Sequence, residues 1–195
     1  KGANFSGNPR PVSDRIFEWP NDSNYRGIAR TIKLNIVNHS FTIESDYMSD
    51  PDILLGKNLP VQIEAEGLTK NTLSNMDLIP ADLDESKTKT NLFAIKSNSL
   101  SSATSLSNSQ IIEVNFYQSD VDKIPVYYEK PNSSNISLLV SGGQGQPQIV
   151  GGTYIYQKIS NTGSTYPLKT SAQAFEELDY LFLLSLADDA LLVDA

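Results

Sequence analysis

The chain has 195 residues, 15 basic against 23 acidic side chains for a net charge of -8, one histidine and no cysteine. The absence of cysteine excludes a disulfide scaffold, a thiolate metal site, an iron–sulfur cluster and a cysteine nucleophile, and the single His39 excludes a multi-histidine site within one chain. The acidic balance, with the bases scattered along the chain, argues against nucleic acid, because phosphate binding needs clustered Lys and Arg.

Taken in chain order, the first predicted elements are an extended segment at 14–19 and a hairpin over 30–46. In the hairpin Ile32, Leu34 and Ile36 alternate with polar residues, Asn38-His39-Ser40 turns, and Phe41 and Ile43 begin the return strand. After Pro60, the spacing of Val61, Ala65, Leu68, Thr72 and Met76 predicts one stripe of a helix. Phe93 and Ile95 mark a further strand, and the uncharged Ser- and Asn-rich stretch 97–110 reads as a long connection. Alternation then predicts strands at Ile112, Val114 and Phe116, at Ile124, Val126 and Tyr128, at Ile136, Leu138 and Val140, and at Ile155 and Ile159. Thr170-Ser171-Ala172-Gln173 fits a capping box opening a helix over 171–184, with Ala172, Phe175, Leu178 and Phe182 on one face.

The order strands, helix, strands, helix suggests an α+β fold of two related units, each an antiparallel sheet covered by a helix. They would span 1–80 and 90–195, with one continuous domain as the alternative. Leu34, Ile36, Val114, Phe116, Ile124, Val126, Phe175 and Leu178 are the expected core.

The stretch Lys123 to Tyr128, followed by residues 136–140 and 149–159 and then Thr165-Tyr166-Pro167-Leu168-Lys169-Thr170 before a helix with Ala172, Ala174, Phe175 and Leu178, resembles the C-terminal portion of YycI/YycH-like regulatory domains. More distantly it resembles the PepSY-type modules of bacterial envelope proteins. The resemblance implies an extracytoplasmic domain, commonly tethered by an N-terminal membrane helix, that acts by contacting other proteins. The chain departs from that pattern where such domains turn at a glycine into another strand; here Asp179-Tyr180-Leu181-Phe182-Leu183-Leu184 continues instead. No apolar run reaches the roughly 18 to 20 residues that span a bilayer. The start at Lys1 fits a processed fragment, so a membrane is expected only through an anchor outside this chain.

Motifs that would carry chemistry are weak. Asp22-Ser23-Asn24-Tyr25-Arg26-Gly27 begins like a calcium loop, but Arg26 and Lys33 occupy ligand positions. Asp46, Asp50 and Asp52, and Asp82, Asp84 and Glu85, form acidic loops that suit capping as well as a cation. The glycine-rich 141–147 lacks the lysine ending of a phosphate loop. His39 lies in a turn with no nucleophile elbow elsewhere. No metal or organic cofactor is expected.

Tyr117, Tyr127, Tyr154 and Tyr156 fall on the polar phase of their strands. They would make an aromatic surface for a peptide or glycan, or pack across strands beneath another element. Leu183 and Leu184 add apolar surface beyond the helix stripe and would serve self-association or a partner. The expected function is a non-catalytic extracytoplasmic domain that binds a protein partner and regulates an envelope process. A secreted hydrolase or carbohydrate-binding protein using the acidic loops is the alternative.

Overall fold

Strand pairing joins the two halves of the chain into one antiparallel sheet. The computed structural model describes residues 8–19, 28–126, 134–143, 145–159 and 170–176. The chain divides into two compact units, Lys1–Ile159 and Ser160–Ala195. The first holds β1 (Arg10–Pro11), β2 (Ile16–Trp19), β3 (Arg30–Asn35), β4 (Ser40–Ser45), α1 (Pro51–Leu54), α2 (Gln62–Asn75), β5 (Leu83–Lys96), β6 (Ser99–Ser102), β7 (Ile111–Gln118), β8 (Ile136–Ser141) and β9 (Gln148–Tyr154). Their order in the sheet is β1-β2-β3-β4-β9-β8-β7-β5-β6.

This corrects the expectation of two sheet-plus-helix units. The N-terminal hairpin does not close on its own helix; β4 pairs with β9, placing Phe41 opposite Tyr154 and Ile43 opposite Gly152. The longest helix among the described residues, α2, then packs over β7 and β8 at the centre of the joined sheet. A pair of strands beside one helix buries too little apolar surface to stand alone, whereas the joined sheet shares one core.

Register sets the apolar rows that face α2, while a second buried cluster around Ile53, Ile111 and Val150 lies on the other side of the sheet. Phe17, Leu34, Phe41, Tyr154, Ile136 and Phe116 are successive partners from β2 to β7. The next such row on the same face is Trp19, Ile32, Ile43, Gly152, Leu138 and Val114. Against these rows α2 lays Ala65, Thr69 and Leu73, spaced four apart and buried. Thr69 is tolerated there because its hydroxyl donates to the Ala65 carbonyl at 3.0 Å. Val61, expected on this stripe, is instead the N-cap and is exposed, with the Glu64 carboxylate accepting from its backbone N–H.

The link between the helices is clamped to the sheet. Gly143 N–H donates to the Lys57 carbonyl at 2.8 Å, and Asn58 returns a bond from Nδ2 to the Gly143 carbonyl. A Cβ on Gly142 would overlap the Lys57 carbonyl, so only glycine permits this approach.

Other sequence expectations move. Residues 97–110 are not one long connection: Ser97 and Asn98, both at positive φ, make a two-residue hairpin turn into β6, and a 3-10 turn follows at Leu106–Asn108. Ile124 takes part only in an isolated bridge to Val121 and is 66% exposed, so no strand forms there among the described residues. Ile36 lies beyond the end of β3 and is exposed, while Leu34 is half-buried and Val114 and Phe116 are fully buried. Among the described residues the last strand is β9, ahead of Ile155 and Ile159.

The second unit contains α3 (Ser171–Glu176). Its capping box forms as the sequence suggests, with Gln173 N–H donating to Thr170 Oγ1 and Thr170 N–H to Gln173 Oε1. Leu178, Phe182, Leu183 and Leu184 lie outside the described residues, as do Tyr127 and Tyr128.

Candidate functional site

The face of the sheet opposite α2 is mixed. One end carries a second buried cluster, Ile28, Tyr47, Ile53, Ile111 and Val150, with Phe93, Ile95, Leu100 and Leu139 packed against it, and beside it runs a polar row. Arg10, Glu18, Lys33, Thr42, Thr153, Ser137, Asn115 and Lys89 are successive register partners across eight strands. Cross-strand partners share a face, so this row lies on the open side, one step along each strand from an apolar row that faces α2. Over β4, β9, β8, β7 and β5 the surface dips into a groove of about 720 Å³ lined by Thr42, Thr153, Ser137, Asn115, Glu113 and Asn91, with Tyr47, Leu139 and Leu100 as its apolar part.

The floor depends on β9. Gly151 and Gly152 place backbone where other strands carry side chains, and at Gly152 (φ +141) a Cβ would run into the Ser137 carbonyl. Val150 is the extra residue of a bulge, since Val140 pairs with Ile149 but Leu139 pairs with Gly151. The bulge reverses the inside–outside phase along β9.

That reversal decides where the tyrosines sit. Tyr154 is 5% exposed in the α2-side core, stacked on Phe41 with centroids 5.0 Å apart, and its hydroxyl donates to the Leu78 carbonyl. Tyr156 packs beside it at 6.3 Å. Tyr117 alone of the four is placed in the groove, and Tyr127 lies outside the described residues. Lys89 Nζ sits 5.5 Å from the Tyr117 ring centroid. Burial pushes the Tyr117 phenol above its ordinary value, and the Glu113 charge adds to the rise. Burial alone does the same to Tyr47.

Glu113 is the chemical centre of the groove. Its Oε2 accepts from Asn91 Nδ2 at 2.8 Å and Asn115 Nδ2 at 2.7 Å, and its Oε1 accepts from the Ser137 hydroxyl at 3.1 Å. Ser134 fixes Asn115 in turn by donating to its Oδ1 at 2.8 Å. The sequence reading passed over all of these residues. The available signal was a lone acid in a stretch whose other residues, except Asn115, are apolar, Ile-Ile-Glu-Val-Asn-Phe, where a charged residue has no role in a sheet core.

The acidic loops are occupied elsewhere. Asp50 caps α1 by accepting from Asp52 N and Ile53 N, Asp52 pairs with Lys57 at 2.9 Å, and Glu85 pairs with Lys70 at 3.0 Å. Asp84 accepts from Ser86 and pairs with Lys87, and its pKa is lowered first by the Ser86 hydroxyl. Asp82 accepts from Gln118 at 2.9 Å. Among the described residues no group of three or more His, Asp or Glu could hold a metal ion. Glu44, the other acid of the groove, is paired with Lys33 at 2.6 Å. It stands on β4, three strands from Glu113, about 14 Å at the usual strand spacing. A carboxylate pair for glycoside hydrolysis sits at about 5 to 10 Å.

Compared with family models, curated proteins and solved structures, the chain shows no match.

Proposed function

We propose that this chain is a non-catalytic binding domain that receives an extended segment of a protein partner in the groove on the open face. The uncovered polar row carries this reading. An antiparallel sheet needs only one covered face, and its open face stays hydrated at no cost; here that face is concave over its middle strands and set with amide and hydroxyl groups. Such groups are buried favourably only against donors and acceptors, and an extended peptide offers one of each per residue. From β4 to β5 the groove crosses four strand spacings, about 19 Å, the length of about six extended residues. A peptide is favoured over a sugar because the Tyr117 ring is already covered by Lys89 and Tyr47 is 9% exposed, which leaves neither as a free stacking platform.

The place of action outside the cytoplasm, as a regulatory domain of a bacterial envelope system, rests on the YycI/YycH-like and PepSY-like pattern of the C-terminal half. The reading is tested by selecting random nine-residue peptides on the full chain and measuring the pool against Thr153→Trp, which fills the groove floor, and Ile63→Ser, which alters the exposed start of α2. Retained peptides should lose binding to the first variant and keep it with the second. Equal binding to Thr153→Trp, or retention of oligosaccharides from a glycan array in place of peptides, overturns it. For the location, a fusion to a phosphatase that folds only where disulfides form should be active, and an inactive but intact fusion refutes it.

A further inference from the structure

Resting on that reading, we infer that the bound segment is recognised through one lysine or arginine side chain seated on Glu113. Two other acids on this face, farther along the sheet, have cations of their own chain: Glu18 pairs with Arg10 and Glu44 with Lys33. Glu113 does not, among the described residues; its three hydrogen bonds come from two amides and one hydroxyl, all neutral. An ionised carboxylate offers about four acceptor sites, so three bonds leave capacity for a further donor. The nearest strand partner with a positive charge, Lys89, is directed onto the Tyr117 ring.

The surroundings suit a long basic side chain better than a small cation. Leu139, in register with Glu113, lies on the groove wall with Leu100 and Tyr47, so an aliphatic stem has apolar surface to cover while its charged head reaches the carboxylate. The Glu113 carboxylate is held by residues of three strands, β5, β7 and β8, and needs no rearrangement to receive a donor. A fixed acceptor of this kind loses little entropy on binding, and a charge-assisted bond to it is about twice as strong as a neutral one.

The experiment uses the nine-residue peptides retained by the full chain. They should share one lysine or arginine at a fixed place. Replacing it by norleucine should weaken binding at least tenfold to the native chain, while the Glu113→Gln variant, of unchanged melting temperature, should bind the native and norleucine peptides alike. Coupling of this kind identifies the pair, and because half of the cycle is made on the peptide it survives any effect of the substitution on folding. Peptides that lose binding to Thr153→Trp but carry no common basic residue, or lose as much to norleucine with Glu113→Gln as with the native chain, overturn the inference and leave the groove reading standing. A pool that binds Thr153→Trp as well as the native chain overturns the groove reading itself.

Discussion

Leu138 and Leu139 are neighbours on β8 that face opposite sides of the sheet, and their truncation measures whether one side is open. Leu138 is 0% exposed under α2, whereas Leu139 is half-buried on the groove side. Leu→Ala removes three carbons, worth about 2.4 kcal/mol of transfer at about 0.8 kcal/mol each. Beneath a helix the lost atoms also leave a cavity, so Leu138→Ala should cost about 3.5 kcal/mol. At Leu139 much of that surface is already wet and a groove cannot become a closed cavity; the cost there should be about 1 kcal/mol. With a urea slope of about 2 kcal/mol per molar, the midpoints should fall by about 1.7 M and 0.5 M. Fluorescence of Trp19, the only tryptophan and part of β2, reports the unfolding of the sheet. Equal losses above about 2 kcal/mol would mean that something covers the groove side, and the binding face would not exist.

The remaining predictions probe other parts of the chain. Gly142→Ala should destabilise the first unit by more than about 2 kcal/mol, because the new Cβ meets the Lys57 and Asn58 backbone rather than a movable side chain; a change within 0.5 kcal/mol, the usual scale of a surface substitution, refutes the clamp. Tyr47 and Tyr117 keep their protons in the folded state past the ordinary value of 10.0, so their contribution is intact below pH 10 and is lost as pH rises above it. The urea midpoint of the native chain should therefore fall more between pH 9 and pH 11 than that of the Tyr47→Phe, Tyr117→Phe double variant, and parallel falls contradict the assignment. Replacing Leu183 and Leu184 by serine should lower the mass seen by light scattering if the tail supports self-association, and an unchanged monomer before and after removes that expectation.

Much of the sheet is legible in the sequence because burial on one side imposes a period of two. Leu34, Phe41, Val114, Phe116, Ile136 and Leu138 all fall where their alternation puts them, in or against the core. What alternation cannot convey is which strands pair. β4 meets β9 across more than a hundred residues, a choice made by the shared core and not by any local pattern. It also fails where the second face is paired without being apolar. β5 reads Asp-Glu-Ser-Lys-Thr-Lys-Thr-Asn after Leu83, yet it belongs to a fourteen-residue strand because β7 pairs with Leu83, Asp84 and residues 89–93 on either side of an irregularity and β6 pairs with its end. The bulge at Val150 is a third such case, since one inserted residue carries Tyr154 from the polar phase of the sequence into the core.

The groove was illegible for a related reason. A polar residue on the outward phase of a strand is the ordinary consequence of facing water, so Asn91, Glu113, Asn115, Ser137 and Thr153 look, one at a time, like solvent-facing positions on separate strands. Pairing changes their meaning: β5, β7, β8 and β9 bring them together, and the amides and hydroxyl that would otherwise bind water converge on one carboxylate. Neither of the aromatic candidates Tyr154 and Tyr156 enters this surface, because an aromatic ring gains most where it can be withdrawn from water, and the core beneath α2 offers that. An acid in mid-strand has no such refuge. Glu113 must either face water or be met by donors; the sheet surrounds it with three neutral donors, whereas Glu18 and Glu44, on strands farther along the same face, are paired with cations. Among the described residues the charge of Glu113 has no such partner, which is the opening the proposed basic side chain would fill.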